Sequence, residues 1–218
     1  ANLAKANKEL QELYDLEGSD KMQILKLLTR LRQICLEPRL VYDNIDQPSS
    51  KLKACMELIK TMQENKQKVL LFSSFTSVLD LIVEECQKAG ITYYMLTGST
   101  SKEDRKELVS RFQKDDTTLF LISLKAGGTG LNLTSAEAVI HFDPWWNVSA
   151  QNQATDRAYR IGQKNNVQVF NLVMKDSVEE KIIELQKRKK ELADMFVENN
   201  SGGLSQMSKE DILSLFTM

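Results

Sequence analysis

Five short runs of mainly apolar residues alternate along this chain with segments in which apolar residues recur every three or four positions. The short runs predict β-strands and the recurring positions predict amphipathic helices. Strands that alternate with helices over short connections favour parallel βαβ units. We therefore predict an α/β fold with a parallel β-sheet and helices on both faces, its strands at residues 68–73, 91–96, 118–123, 138–142 and 167–173.

Helical patterns flank this predicted sheet at both ends of the chain. Residues 1–40 carry an apolar stripe that stops at Pro38, and residues 43–50 predict a linker. Ser101 and Ser177 each precede an acidic residue by three positions, which is the pattern of a helix-capping box. We predict three parts: a helical extension and linker at 1–50, the sheet at 51–175, and C-terminal helices at 176–218.

The composition argues against a membrane protein but does not indicate what the protein binds. The chain has 218 residues, 42% of them apolar, and no apolar run is long enough to span a membrane, so we expect no membrane association. There are 29 basic and 30 acidic side chains, giving a net charge of −1. Because the overall charge is almost balanced, any contact with nucleic acid would need a local patch.

The cysteines and the single histidine do not suggest a metal site. Cys35, Cys55 and Cys86 are far apart in sequence and lack a CxxC pattern, so we predict buried, reduced thiols and no structural metal. His141 lies inside an apolar run. We predict that it is a strand residue and not a catalytic base.

Two features between residues 121 and 163 indicate phosphate binding. Residues 126–130, Ala-Gly-Gly-Thr-Gly, follow an apolar run and predict a turn whose backbone N–H groups can meet phosphate oxygens. Farther along, Gln153, Arg157 and Arg160 would share one face of a helix. Two guanidiniums beside an amide suit a phosphate better than a hydrophobic core.

Each feature also has an ordinary structural interpretation. A glycine-rich turn after a strand is more often only a tight turn, and arginines at this spacing are usually solvated or paired with acids. The two features together, in this order, favour a phosphate site. For Arg30 and Arg32 we favour a solvated helix face, and of Trp145 and Trp146 we expect one in the core and the other exposed.

The same stretch resembles motifs V and VI of the Swi/Snf family of superfamily-two helicase-like ATPases. The family pattern reads S-x-[KR]-A-G-G-x-G-[LI]-N-L, then an element with D, W and N that corresponds here to D-x-x-W-N, then Q-A-x-D-R-x-x-R-I-G-Q. The chain matches it at Ser123, Lys125, Ala126, Gly127, Gly128, Gly130, Leu131, Asn132, Leu133, Asp143, Trp146, Asn147, Gln153, Ala154, Asp156, Arg157, Arg160, Ile161, Gly162 and Gln163.

Other segments match the family less completely. LRQICLEPRL resembles L-R-Q-x-C-x-H-P, with Glu37 in place of the usual His. Val148 stands where the family has Pro, and Gln151 and Asn152 stand where an acid is common. Ser73 and Ser74 resemble motif IV, and the turn at 97–101 resembles the element that follows, where Arg105 is either a phosphate contact or a structural ion pair.

The resemblance implies a RecA-like helicase C-terminal lobe at 51–175, with helices at 176–218 that brace it against a second lobe. ATP would bind between the two lobes. The residues implied for catalysis are Arg157, Arg160, Gln153 and Asp156, and those implied for nucleotide contact are Gly127, Gly128, Thr129 and Gly130. Contacts with the phosphate backbone of double-stranded DNA are implied for Ser73, Ser74, Gly98, Thr100, Ser123, Lys125 and Asn132.

Neither a G-x-x-x-x-G-K-[ST] phosphate loop nor a D-E-x-H box occurs in the sequence, although ATPases of this class need both for ATP and Mg²⁺. We therefore expect a fragment, the second motor lobe of a DNA translocase, which is inactive alone and works with the preceding lobe. A similarity to prokaryotic members suggests a cytoplasmic, nucleoid-associated protein, or a nuclear one in a eukaryote.

Two other functions remain open at this point. The lobe could belong to a strand-separating helicase, which a strand-displacement assay would reveal. It could also be a non-catalytic module that binds a protein, and the final helix, with Ile212, Leu215 and Phe216, could dock on such a partner. The presence of both arginines weighs against the second alternative.

Overall fold

The computed structural model describes residues 21–127, 131–145, 151–152, 155–156 and 167–198. Its helices and strands follow the predicted alternation, and all five predicted strands are present with ends shifted by at most two residues. In chain order the elements are α1 (Lys21–Leu36), a 3₁₀ helix (Pro38–Leu40), α2 (Ser50–Glu64), β1 (Val69–Ser73), α3 (Thr76–Ala89), β2 (Tyr93–Leu96), α4 (Lys102–Lys114), β3 (Leu119–Ser123), α5 (Leu124–Gly127), β4 (Ala138–His141), β5 (Gln168–Asn171) and α6 (Val178–Glu198).

The five strands form one sheet in the order β2-β3-β1-β4-β5, and every neighbouring pair is parallel. This confirms the predicted parallel α/β fold. β1 lies in the middle, between β3 and β4, and its five residues are all buried. β5 forms an edge and is mostly exposed, with Val169 at 43% exposure. All strands end at the same side of the sheet, which we call the carboxyl edge.

Helices cover both faces of the sheet because neighbouring strand residues point in opposite directions. Val69 and Leu71 of β1 pack in the cluster formed by α2 and α3. Leu70 and Phe72 pack on the other face, in the cluster that contains Phe112 of α4. A central strand buried on both faces needs a continuous apolar run, which the sequence supplies.

Within the N-terminal extension, helix α1 packs onto the rest of the described chain. Leu31 and Ile34 of α1 form a small cluster against Val178 of α6. The chain then turns around the buried carboxylate of Glu37, which accepts hydrogen bonds from Arg39 Nε at 3.0 Å and from the backbone N–H of Ser49 at 2.9 Å. A neutral histidine has one acceptor nitrogen and could not bind both donors.

The predicted helix starts at Ser101 and Ser177 are confirmed. Ser101 Oγ accepts from the N–H of Asp104 at 3.1 Å and begins α4. At α6, Ser177 Oγ accepts from the N–H of Glu179 at 3.2 Å, while the Glu180 carboxylate accepts from the backbone of Asp176. These contacts satisfy N–H groups that a helix start leaves without partners.

The three cysteines are buried free thiols, as predicted. Burial raises the pKa of Cys35 to about 11 and the pKa of Cys86 to about 12, and it raises the pKa of Cys55 as well. The thiols therefore stay protonated and act as small apolar side chains. No helix in the described part of the chain is both long and apolar enough to cross a membrane.

A buried ion pair joins the start of α2 to the start of α6. Lys51 Nζ at the start of α2 donates to Glu179 Oε1 and Oε2 at 2.6 and 2.7 Å, and it lies 5.3 Å from the centre of the Phe142 ring. Glu179 also accepts from the backbone N–H of Met174 at 2.7 Å. Burial raises the pKa of Glu179 and Lys51 opposes that rise, so each charge depends on its partner.

Replacing Lys51 with Met should lower the free energy of unfolding by about 3 to 5 kcal/mol, because it leaves the Glu179 carboxylate buried without a cation. Urea unfolding measures this loss. Adding Glu179→Gln should recover part of it, since the amide still accepts from Met174. As a control, Lys88→Met in the exposed pair with Glu85 should cost less than about 1 kcal/mol; equal losses for both lysine variants would contradict the proposed role of the buried pair.

His141 is a buried residue of β4, as predicted, and its ring stacks on Phe72 with 5.7 Å between the centroids. Burial lowers its pKa from 6.5 to about 4, although the nearby Asp143 charge acts in the opposite direction. The imidazole is therefore neutral in the folded protein at neutral pH.

The folded protein should lose roughly 3 kcal/mol of stability through His141 as the pH falls from about 6.5 to about 4. The unfolded chain takes up a proton at the ordinary pKa, whereas the folded chain resists it, so the contribution is complete above pH 6.5 and disappears toward pH 4. Unfolding measured across this range should show a weaker pH dependence for His141→Gln. Parallel curves for the two proteins would show that the ring is not buried as described.

Candidate functional site

The carboxyl edge of the sheet brings together polar residues that are distant in sequence. β1 ends at Ser73 and β3 at Ser123, and these two serines are direct neighbours in the strand register. β4 lies on the other side of β1, and Asp143 follows two residues after its end. The prediction that Ser123 and Asp143 lie at strand ends is confirmed. Ligands of parallel α/β sheets bind at this edge.

Asp143 is the centre of a buried polar cluster at this edge, and it is 2% exposed. Its Oδ1 accepts from Ser73 Oγ at 2.8 Å and from the backbone N–H of Ser74 at 3.0 Å. Its Oδ2 accepts from Ser74 Oγ and from Arg32 Nη2, the latter at 2.9 Å. We call these four residues the Asp143 cluster.

Arg32 corrects one prediction. Its side chain is 11% exposed, so it does not lie on a solvated helix face. Besides Asp143, its Nη2 donates to Ser74 Oγ at 2.9 Å and to the Pro144 carbonyl at 3.3 Å, and its guanidinium lies 5.0 Å from the centre of the Phe75 ring. Periodicity along α1 could not reveal this, because the partners are more than 40 residues away in sequence. Arg30 is exposed, as expected.

Ser73 and Ser74 direct their hydroxyls inward. Ser73 is fully buried and Ser74 is half-buried, and both hydroxyls donate to Asp143. A DNA phosphate could bind the Ser73 hydroxyl only after this bond opened. The predicted DNA contacts of these two serines therefore stay predictions, and Ser74 is the more accessible of the two.

The turn after β2 is exposed at the carboxyl edge. Its hydrogen bonds are internal, because Thr100 Oγ1 accepts from the N–H of Thr97 at 3.0 Å. Gly98 is exposed, its φ angle is not positive, and a Cβ atom added to it would meet nothing within 4 Å. Neither backbone conformation nor internal packing requires glycine there, so an external group can approach the backbone closely.

The segments on either side of the glycine-rich turn are held by α4. Arg105 Nη1 donates to the carbonyl of Ala126 at 3.0 Å, so the arginine supports the chain just before Gly127. After the turn, Gln113 Nε2 donates to the carbonyl of Asn132 at 2.7 Å. The Asn132 side chain is exposed. Gly128, Thr129, Gly130 and the side chain of Lys125 lie outside the described residues.

Ser123 has a different environment from Asn132. It is 3% exposed, and its hydroxyl has no hydrogen-bond partner within the described part of the chain. The side chain lies directly before α5 and the glycine-rich turn. It is therefore an internal polar group at the carboxyl edge, and its predicted contact with DNA remains a prediction.

The segment that carries the predicted arginines, residues 153–160, is described only at Thr155 and Asp156. Asp156 is exposed, and its N–H donates to the carbonyl of Asn152 at 2.8 Å, as in a helical turn. Thr155 Oγ1 lies 3.0 Å from His141 Nε2 and thus ties this segment to β4. The predicted residues Gln153, Arg157 and Arg160 lie outside the described residues.

Two glutamines, which the sequence did not single out for this role, hold the chain leading into that segment. Gln151 Oε1 accepts from the N–H of Trp145 at 3.3 Å, and Gln151 Nε2 donates to Asn171 Oδ1 at 2.9 Å. An acid at this position could not make the second donation. Gln186 of α6 donates to the carbonyl of Trp145, a half-buried side chain that packs against the core. Trp146 lies outside the described residues.

Comparison with known proteins gives relatives that are helicases or related ATPases. Residues 50–162 match the family described as helicase conserved C-terminal domain. An uncharacterized ATP-dependent helicase of Mycoplasma pneumoniae is 37% identical over 208 residues, which are 95% of this chain and 20% of that protein. The ISWI chromatin-remodeling complex ATPase ISW1 of Saccharomyces cerevisiae is 34% identical over 228 residues, again 95% of this chain and 20% of that protein. The chain spans about a fifth of the length of these curated relatives.

Solved structures show the same relationship. The Sulfolobus solfataricus SWI2/SNF2 ATPase C-terminal domain matches with a TM-score of 0.74 and 28% identity, over 97% of this chain and 91% of that one. The Sulfolobus solfataricus SWI2/SNF2 ATPase core in complex with dsDNA matches with a TM-score of 0.72 and 32% identity, over 91% of this chain and 43% of that one. The chain therefore belongs to the helicase conserved C-terminal domain family, and its relatives are ATP-dependent helicases of the SWI2/SNF2 type.

Proposed function

We propose that this chain is the second motor lobe of an ATP-dependent translocase on double-stranded DNA. The observation that carries the proposal is the meeting of three motif-bearing segments at the carboxyl edge: Ser73 and Ser74 at the end of β1, Ser123 at the end of β3, where the glycine-rich segment begins, and Asp143 after β4. A matching SWI2/SNF2 ATPase core was solved in complex with dsDNA, which supports the choice of DNA as partner.

ATP is the substrate in this proposal. Arg157 and Arg160, which the sequence predicts on one face of a helix, supply positive charge to the phosphoryl group as it is transferred to water. Gln153 and Asp156 orient the two guanidiniums, and residues 127–130 contact the nucleotide through the backbone. Arg105 and Gln113 of α4 bind the chain just before and just after this turn, at the carbonyls of Ala126 and Asn132.

Mg²⁺, which neutralises phosphate charge, is better held by the preceding lobe. Within the described ranges no three His, Cys, Asp or Glu side chains lie close enough together to bind a metal ion. Asp143, the acid nearest to the strand ends, already accepts hydrogen bonds from Arg32, Ser73 and Ser74 and is not free to be a ligand. The residues of this chain therefore contribute positioning and positive charge.

DNA contacts in this proposal are made to phosphates through the carboxyl edge. Gly98 is exposed there and Thr100 is half-exposed, and Asn132 is exposed after the glycine-rich turn. Lys125 adds a cation in this proposal. Backbone N–H groups, an amide and a hydroxyl bind phosphate oxygens and do not read bases. Binding is consequently independent of DNA sequence and depends on salt.

Arg160→Ala and Arg157→Ala should each lower DNA-stimulated ATP hydrolysis by about 10³- to 10⁵-fold in a protein that joins this chain to its preceding lobe. The loss comes from charge that stabilises only the transition state, so folding should be unaffected. Steady-state hydrolysis with and without duplex DNA measures it. The chain by itself should hydrolyse no ATP.

Arg111→Ala is the matched control, because Arg111 is 57% exposed on α4 and pairs only loosely with Glu107. Hydrolysis should stay within about twofold of the unaltered protein. DNA-independent hydrolysis, or an Arg160→Ala protein with full activity, would overturn the proposed mechanism. A strand-displacement assay on the same preparation should release no strand.

The chain alone should bind duplex DNA weakly and lose roughly 40-fold in affinity over a fourfold rise in salt, if about three phosphates are contacted. Fluorescence anisotropy with two unrelated duplexes tests both the salt dependence and the lack of sequence preference. Gly98→Asp should weaken binding further, because it places a carboxylate where phosphate approaches.

Asn65→Asp supplies the control for that variant. Asn65 is exposed at the end of α2, just before β1, and therefore lies at the opposite edge of the sheet. The Asn65→Asp variant adds the same negative charge as Gly98→Asp but should leave DNA affinity almost unchanged. Equal effects of the two variants would mean that the carboxyl edge does not face DNA.

A further inference from the structure

We propose that Arg32 is a positioning residue that makes α1 part of the DNA-facing edge. It fixes the turn after β1 relative to the turn after β4, so that the position of α1 determines how the edge meets DNA. The part of this inference that concerns DNA rests on the function proposed above. The part that concerns the two turns stands on contacts within the chain.

The contacts of Arg32 join three separate segments. From α1, its Nη2 donates to Ser74 Oγ in the turn after β1, and to Asp143 Oδ2 and the Pro144 carbonyl in the turn after β4. The planar guanidinium also lies over the Phe75 ring. One side chain therefore touches both turns by hydrogen bonds and one of them by stacking as well.

Because Arg32 and Asp143 are both buried, losing one of these contacts is costly. Asp143 is 2% exposed and Arg32 is 11% exposed, so water does not replace a lost partner easily. Without Arg32 the Asp143 carboxylate would keep hydrogen bonds from Ser73 and Ser74 but would lose its cation. The turn after β4 would also lose the donor to the Pro144 carbonyl. Both turns should then open more often.

α1 is also held in place by apolar contacts with α6. Leu31 and Ile34 pack against Val178 at the start of α6. Arg32 lies between these two residues in sequence and points to the carboxyl edge, as its contacts show. A movement of α1 against α6 would therefore reach the turns after β1 and β4 through this guanidinium.

The test combines hydrogen exchange with DNA affinity in the chain as it stands. Arg32→Met should raise amide exchange about tenfold at residues 73–75 and at Asp143 and Trp145 together, while leaving the centre of α3 protected. DNA affinity at low salt should fall by about fivefold, and Arg32→Lys should restore part of both properties because it returns the charge without the planar group.

Two further variants separate positioning from stability. Arg32→Met combined with Asp143→Asn removes the unpaired buried charge, so thermal stability should recover while DNA affinity stays low. Arg30→Met removes the same charge from an exposed residue of α1 and should leave exchange at both turns unchanged. A double variant that recovered DNA affinity along with stability would overturn the inference, as would an Arg30→Met protein with opened turns.

The two proposals can fail independently. If the unaltered chain showed no salt-dependent DNA binding, the proposed function would fail, and exchange at the two turns would still decide the role of Arg32. If DNA binding were present but Arg32→Met changed neither exchange nor affinity, the positioning role would be wrong and the proposed function would stand.

Discussion

A carboxylate inside a protein needs donors on every side, and the one at Asp143 determines the arrangement of the carboxyl edge. It draws hydrogen bonds from the end of β1 through Ser73 and Ser74 and from α1 through Arg32. Removing any one donor would leave charge in a poorly hydrated place, which costs more than the bond itself contributes. The ends of β1 and β4 and the N-terminal helix are thus fixed in one geometry.

The other motif-bearing segments are supported from outside in a similar way. α4 supports both sides of the glycine-rich turn through Arg105 and Gln113. α6 contacts the chain that leads into the arginine-bearing segment through Gln186, and β4 contacts that segment through His141. The groups proposed to meet ATP and DNA are therefore supported by residues outside the sequence motifs, and substitution of those residues could alter activity without touching either ligand.

Local patterns of apolar and capping residues were sufficient to predict most helices and strands of the fold. Continuous apolar runs identified β1 and β3 because both faces of these strands are covered, and the serines before α4 and α6 identified helix starts whose hydrogen bonds are short-range. The order of the strands was not predictable in this way, since it depends on which chain segments pack together over long distances.

The contacts that surround the site residues could not be predicted from the sequence. Arg32 looked like a surface residue because charged residues on helices usually are, and its buried partners are in segments that follow β1 and β4. Gln151 looked like a departure that changes local charge, yet its amide both donates and accepts, linking Trp145 to Asn171. In each case the deciding fact is a partner brought close only by the folded sheet.

The ion pair between Lys51 and Glu179 has a consequence for where this domain begins and ends. The family match covers residues 50–162, so it includes the lysine but neither its carboxylate nor Arg32. A polypeptide cut at those positions would bury an ammonium beside Phe142 without a counterion and leave Asp143 without its guanidinium. The residues that complete these two buried charge pairs consequently extend beyond 50–162, from α1 to the first turn of α6.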